Sequence, residues 1–364
     1  MKKTLVVFVV GFLLTAPVGT AAAAPPSSSV KDHEPTVVTQ GLGGPLHLSV
    51  GPGRAVTVSE EFAGRLTRVS DETSRTVYSA PEWDVAGSDA QGSTTYFVES
   101  QGAGPDDPRP LAGSLKSIDA KGTVRTVTDQ LGAFETANNP DGNVAYGVPA
   151  TAPAECLAQL GSLGVPASYT GETDSHPYAV AVSGNTAYVA DAGGNDLLAV
   201  NLTTGSIRKV AVLPGASVPV TSEIAAALGA PACAGQTYTF EPVPTDVAIG
   251  PDGWLYVSSL PGGPEDASLG ANGSILRVNP WTGAAQRWVD GLVSPTGIAF
   301  DGRGNLFVAS LFGPGIYRVP AGTATPSLFL DVAQPADVAV SGNTLYATTE
   351  ALGNGALIAV RLEP

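Results

Sequence analysis

Polar and apolar positions alternate in short runs along this chain, and the runs return in a fixed order. Pro177-Tyr178-Ala179-Val180-Ala181-Val182 leads through Gly184-Asn185 to Ala187-Tyr188-Val189-Ala190-Asp191. Pro244-Thr245-Asp246-Val247-Ala248-Ile249 leads through Asp252-Gly253 to Leu255-Tyr256-Val257. The same unit recurs from Pro295 through Gly304-Asn305 to Leu306-Phe307-Val308, and from Pro335 through Gly342-Asn343 to Leu345-Tyr346-Ala347. Two weaker copies come earlier, Pro45 to Val50 with Ala55 to Val58, and Trp83 to Ala86 with Tyr96 to Glu99. A period of two in short runs, joined by Asn-Gly, Asp-Gly and Thr-Gly turns, predicts antiparallel strands in meanders.

Each pair is followed by a third alternating run, at Leu197 to Leu202, Ser274 to Asn279 or Gly315 to Val319, and then by a short fourth such as Ala285 to Val289. Four-stranded meanders repeated every 40 to 50 residues or so are the pattern of propeller blades. Six starts predict an all-β fold, a six-bladed β-propeller. The last unit stops at Ala356 to Arg361, one strand short, while Thr36-Val37-Val38-Thr39 precedes Gly41-Leu42-x-x-Pro45. Gly291-Leu292-x-x-Pro295 repeats that spacing after a fourth strand, so the N-terminal strand is expected to close the last blade and remove the open edge. Helix is expected only as short turns at Cys156 to Leu163 and Glu223 to Leu228.

Residues 1–24 depart from the pattern. Lys2 and Lys3, an apolar run from Leu5 to Leu14 and small residues Ala21 to Ala24 have the order of a secretory signal peptide. A flexible leader over 25–35 and the propeller over 36–364 follow, and no other run reaches the ~20 apolar residues of a membrane span. The expected protein is secreted and, having no open edge to pair, monomeric. A formal net charge of −15 with 18 Lys and Arg excludes the basic surface that nucleic acid needs.

The repeats resemble NHL-type six-bladed propellers. Asp174-Ser175-His176-Pro177-Tyr178-Ala179-Val180, with Cys156 and Tyr169-Thr170-Gly171 upstream, resembles the ScyD/ScyE family. That resemblance implies fold rather than chemistry.

Candidate sites follow from propeller geometry. The long segments 133–173 and 214–242 fall between blades, and 100–112 and 259–273 follow second strands, so all should cover one face, the expected binding face. Two residues after each repeat's proline, at the channel mouth, stand His47, Asp84, Ala179, Asp246, Gly297 and Asp337. Converging carboxylates favour a bound cation, Ca²⁺ or Mg²⁺ held by Asp84, Asp246 and Asp337, or raised pKa values for proton transfer. The alternative is that each Asp bonds local backbone N–H groups. Glu60, Glu99, Asp191 and Glu350, at the ends of second strands, face the same side, and His176 can reach it, while His33 lies in the leader.

The chain has no G-x-S-x-G, H-E-x-x-H or P-loop signature. Its two cysteines, Cys156 and Cys233, sit in the two long insertions, where an oxidising compartment favours a disulfide. Two function classes remain: a propeller that binds a small molecule, glycan or protein on the insertion-bearing face, or a metal-assisted enzyme, lactonase-, lyase- or oxidoreductase-like, at the channel mouth.

Overall fold

The structure is a computed structural model that describes residues 34–70, 73–104, 107–264 and 266–363. The segment 1–24, expected to be a signal peptide, and His33 lie outside the described residues. Among the described residues the strands form seven four-stranded sheets. Five are meanders of consecutive strands, opening with Pro45–Val50, Asp84–Gln91, Pro177–Ser183, Pro244–Ile249 and Pro295–Phe300. In a sixth, Val338–Ser341, Thr344–Thr349 and Asn354–Arg361 are joined by the N-terminal strand Thr36–Gly43. The expected pairing of the chain ends is present, antiparallel, from Thr36 opposite Ala359 to Gly43 opposite Asn354.

The opening strands of these six sheets pack side by side. Pro45–Val50 touches Asp84–Gln91, then Pro177–Ser183, Pro244–Ile249, Pro295–Phe300 and Val338–Ser341 follow in order, and Val338–Ser341 touches Pro45–Val50 again. Apolar residues of each sheet pack on the next, as Ala179, Leu197 and Val210 do on Val247, Leu255 and Leu276. Alternation thus buries both faces, a layered core in which each sheet covers its neighbour.

The seventh sheet is made by the two long insertions. Ser168–Thr170 and Ala145–Gly147 from the first pair with Thr237–Phe240 and Ala216–Pro219 from the second. Cys156 and Cys233 are bonded, and Val148, Leu160, Val220, Ala225 and Tyr238 surround the bridge, so the insertions share a small core of their own. The short helices expected there appear as Ala154–Ser162 and Ser222–Ala227. The expectation of no other helix is corrected: Leu131–Asn138 is also helical. It has one fully buried apolar anchor, Leu131, and a Gly132 whose lack of a side chain lets it lie against the backbone of Leu111. Such a segment carries almost no amphipathic period and owes its helix to tertiary packing. Among the described residues no helix is long and apolar enough to cross a membrane.

Candidate functional site at the insertion-bearing end

The opening strands begin at the end of the sheets that carries the insertions. There His47 lies buried with its ring 4.5 Å from that of Tyr178, edge to face. Tyr178 also meets His176, in the same edge-to-face geometry at 5.3 Å. His47 Nδ1 stands 4.0 Å from the Asp337 carboxylate. The Nε2 atoms of His47 and His176 are both inaccessible and have no hydrogen-bond partner. Burial, reinforced by the neighbouring His176, lowers the pKa of His47 to about 3, so this imidazole is neutral at physiological pH.

Of the carboxylates expected near it, Asp246 and Asp337 bond main-chain N–H groups, as in the alternative reading of the row. Asp337 accepts the N–H of Val338 with Oδ1 and that of Leu48, in the first sheet, with Oδ2, both at 2.7 Å. Asp246 does the same for Val247 and for Ile298 in the fifth sheet. The third member is Asp89, not Asp84: its oxygens accept from Ala90 and from Val182 in the third sheet. Three carboxylates therefore clamp alternate junctions of the inner strands, second to third, fourth to fifth and sixth to first. Burial raises the pKa of all three, against the opposing pull of the N–H groups; the charge of Asp89 adds to it at Asp246, which reaches about 7, and that of Asp246 at Asp337, which lies well above the carboxylate range. Asp84 sits apart, half-buried, where its charge is felt by Arg109. The sequence placed Asp84 by its spacing after Trp83, whereas the clamp is formed by Asp89, further along the same strand.

Gly297 explains one gap in the expected row of side chains. A Cβ there would come within 2.4 Å of the Asp337 Cα and 2.0 Å of its Oδ1, so the position is small to admit its neighbour.

The residues at the ends of the second strands are tied into the fold. Glu60 accepts from Gly43 of the N-terminal strand at 2.7 Å, from two nitrogens of Arg65 and from Thr67. Burial pushes its pKa up, but these donors outweigh it and the net shift is downward. Glu99 accepts from the Tyr78 hydroxyl and pairs with Lys116, each at 2.6 Å. Asp191 accepts from the N–H groups of His176, Gly193 and Gly194 and from the Ser175 hydroxyl, so it fixes the chain entering the third sheet and with it the His176 ring. Glu350 is exposed, at a positive φ of 50°.

Sequence reasoning missed Tyr178 and Asn195. Asn195, 1% exposed, donates to Asp141 of the first insertion at 3.0 Å and to Glu241, beside the second, at 3.1 Å. It joins both insertions to the third sheet, and only its place in a Gly-Gly-Asn turn could have flagged it. Among the described residues no group of three or more His, Cys, Asp or Glu is set to hold a metal ion. A surface cleft of about 580 Å³ opens at the opposite end of the sheets, lined by Thr36, Arg54, Asn343, Thr344, Ala359, Val360 and Arg361, without carboxylate or imidazole.

No family model and no curated protein matches the chain. Solved structures do. A gluconolactonase from Xanthomonas campestris is 12% identical with a TM-score of 0.56, the match covering 92% of this chain and 90% of that one. A putative glucose dehydrogenase-type oxidoreductase from Thermus thermophilus is 17% identical with a TM-score of 0.54, covering 90% and 99%. A Bacteroides thetaiotaomicron protein of unknown function is 13% identical with a TM-score of 0.55, covering 91% and 72%. The fold is of the β-propeller type. At these identities the likeness concerns fold alone.

Proposed function

We propose that the chain is an exported, monomeric six-bladed β-propeller that binds a small molecule at the mouth of its channel, on the insertion-bearing face. Six meander sheets with inner strands in cyclic contact, and an N-terminal strand paired to the last, support the blade count and the closure. The resemblance to NHL-type and ScyD/ScyE proteins supports the same form. The signal-like N-terminus supports export, and the Cys156–Cys233 bond is compatible with it.

The observation that carries the binding reading is the pair of buried imidazoles flanking Tyr178, each with an unpartnered Nε2. A buried polar atom without a partner costs about 1–3 kcal/mol, which a ligand group of matching polarity recovers. Convergent polar atoms on an aromatic support are how small-molecule sites fix orientation. A small ligand suits this better than a glycan or a protein, because the contact atoms lie below the surface. A metal-assisted reaction at Asp84, Asp246 and Asp337 is less well supported, since both oxygens of Asp246 and of Asp337 are committed to backbone N–H groups.

A thermal-shift screen of mature protein against small polar metabolites tests the reading. Compounds that raise Tm in the wild type should lose their effect in His47→Phe and His176→Phe. Compounds whose effect survives both substitutions would place the site elsewhere.

A further inference from the structure

A second group of side chains lies under the first insertion, away from the inner strands. Glu135, on the helix Leu131–Asn138, is 1% exposed, and Asp196, which opens the third strand of its sheet, is 0% exposed. Neither carboxylate has a hydrogen-bond partner on either oxygen, and Asp141 Oδ1, equally buried, has none. The Glu135 carboxylate lies against the main chain of Gly194, where an added Cβ would stand 3.0 Å from its Cδ. It is thus aimed into the turn between Asp191 and Asp196. Asp191 cannot relieve it, for its own oxygens already accept four bonds from Ser175, His176, Gly193 and Gly194.

Uncompensated burial of several carboxylates is expensive, because each loses its hydration and repels the others. The charges of Asp191 and Asp141 act on Glu135, those of Glu135, Asp191 and Asp141 act on Asp196, and Lys209 is a cation whose charge opposes them at both. The remaining polar neighbours are spent elsewhere. Asn195 donates to Asp141 and Glu241, and Tyr146 donates to Asp141 Oδ2. Four free carboxylate oxygens on two buried side chains from different segments, with the charge of Glu135 acting on Asp196, are half or more of the shell of a hard cation.

We propose that Glu135 and Asp196 bind one Ca²⁺ ion, which pins the first insertion to the third sheet. Two bidentate carboxylates supply four oxygens, and Ca²⁺ takes six to eight, so main-chain oxygens and water complete the shell. Such a site needs no third carboxylate in tight register, consistent with the absence of a ready-made group of three ligating side chains among the described residues. The all-oxygen donor set, with neither thiolate nor imidazole, selects Ca²⁺ over zinc or copper. This site is separate from the imidazole pair and stands whether or not a small molecule binds there.

The test titrates CaCl₂ into EGTA-stripped mature protein by calorimetry and follows Tm with Ca²⁺, with Mg²⁺ and with EGTA. The expected result is one Ca²⁺ per chain, a Tm several degrees higher in 1 mM Ca²⁺ than in EGTA, and a smaller effect of Mg²⁺. Glu135→Gln/Asp196→Asn should lose the Ca²⁺ response yet melt, free of metal, no lower than stripped wild type, because two mutually repelling carboxylates are gone. Wild-type protein that takes up no Ca²⁺ and melts identically in Ca²⁺ and EGTA overturns the proposal, and that measurement stands even if the double variant fails to fold. A Ca²⁺ response undiminished in a folded double variant overturns it equally.

Discussion

Asp337 accepts the main-chain N–H of Leu48 at 2.7 Å across 289 positions of sequence, joining the last sheet to the first beside the paired chain ends. Asp89 and Asp246 repeat the contact on Val182 and Ile298, so the same device recurs at alternate junctions. An amide in place of the carboxylate keeps one acceptor and turns an NH₂ group toward an N–H. Asp337→Asn should therefore lower stability by about 1–3 kcal/mol, read as a lower urea midpoint with little change in slope. An unchanged midpoint would show that the carboxylate is not a clamp.

The Cys156–Cys233 bridge closes a loop of 77 residues and sits in a core that belongs to the insertions alone. Replacing both cysteines by alanine should cost about 2–5 kcal/mol. The loss should fall first on the insertions, as new protease cuts within 133–173 and 214–242 under conditions where the six meander sheets stay intact. Cuts spread evenly along the chain would show that the bridge stabilises the whole fold instead.

Stability on the acid side should carry the mark of His47. Its folded pKa of about 3 lies below the ordinary 6.5, so the unfolded chain takes up a proton as pH falls through 6.5 while the folded chain does not. The contribution is complete above pH 6.5 and is lost at about 1.4 kcal/mol per pH unit as pH falls toward 3. Asp246 acts in the opposite sense: with a folded value of about 7 against 3.8, it holds a proton that the unfolded chain lacks, and acid between those values favours folding. His47→Gln keeps the carboxylate effect and drops the imidazole one. Its urea midpoint should fall less than that of the wild type between pH 6.5 and 4.

Much of the architecture was legible because alternation and turn chemistry repeat. The starts at Pro45, Pro177, Pro244 and Pro295 are strand starts in the structure, and Thr36 to Thr39 does pair with the last strand. The weaker copy at Trp83 was harder to read: it lacks the proline that marks the other starts, and the clamping aspartate of that strand is Asp89 rather than Asp84. The seventh sheet went unseen because its strands are three or four residues long, too short for any period, and come from two separate insertions. At the site, His47, His176, Asp246 and Asp337 were found by position, but their roles depend on where each lone pair goes. Tyr178, Asn195 and Glu135 matter through contacts between distant segments, which no local pattern records.

The binding proposal rests on a buried, neutral imidazole on the opening strand of the first sheet, and nuclear magnetic resonance reads that state directly. The chain has three histidines, so the ring signals of His47 can be assigned from a single His47→Gln comparison and followed with pH. The signal of His47 should hold the chemical shift of a neutral ring from pH 8 down to about pH 4. A titration centred near 6.5, as for an imidazole in water, would contradict the account.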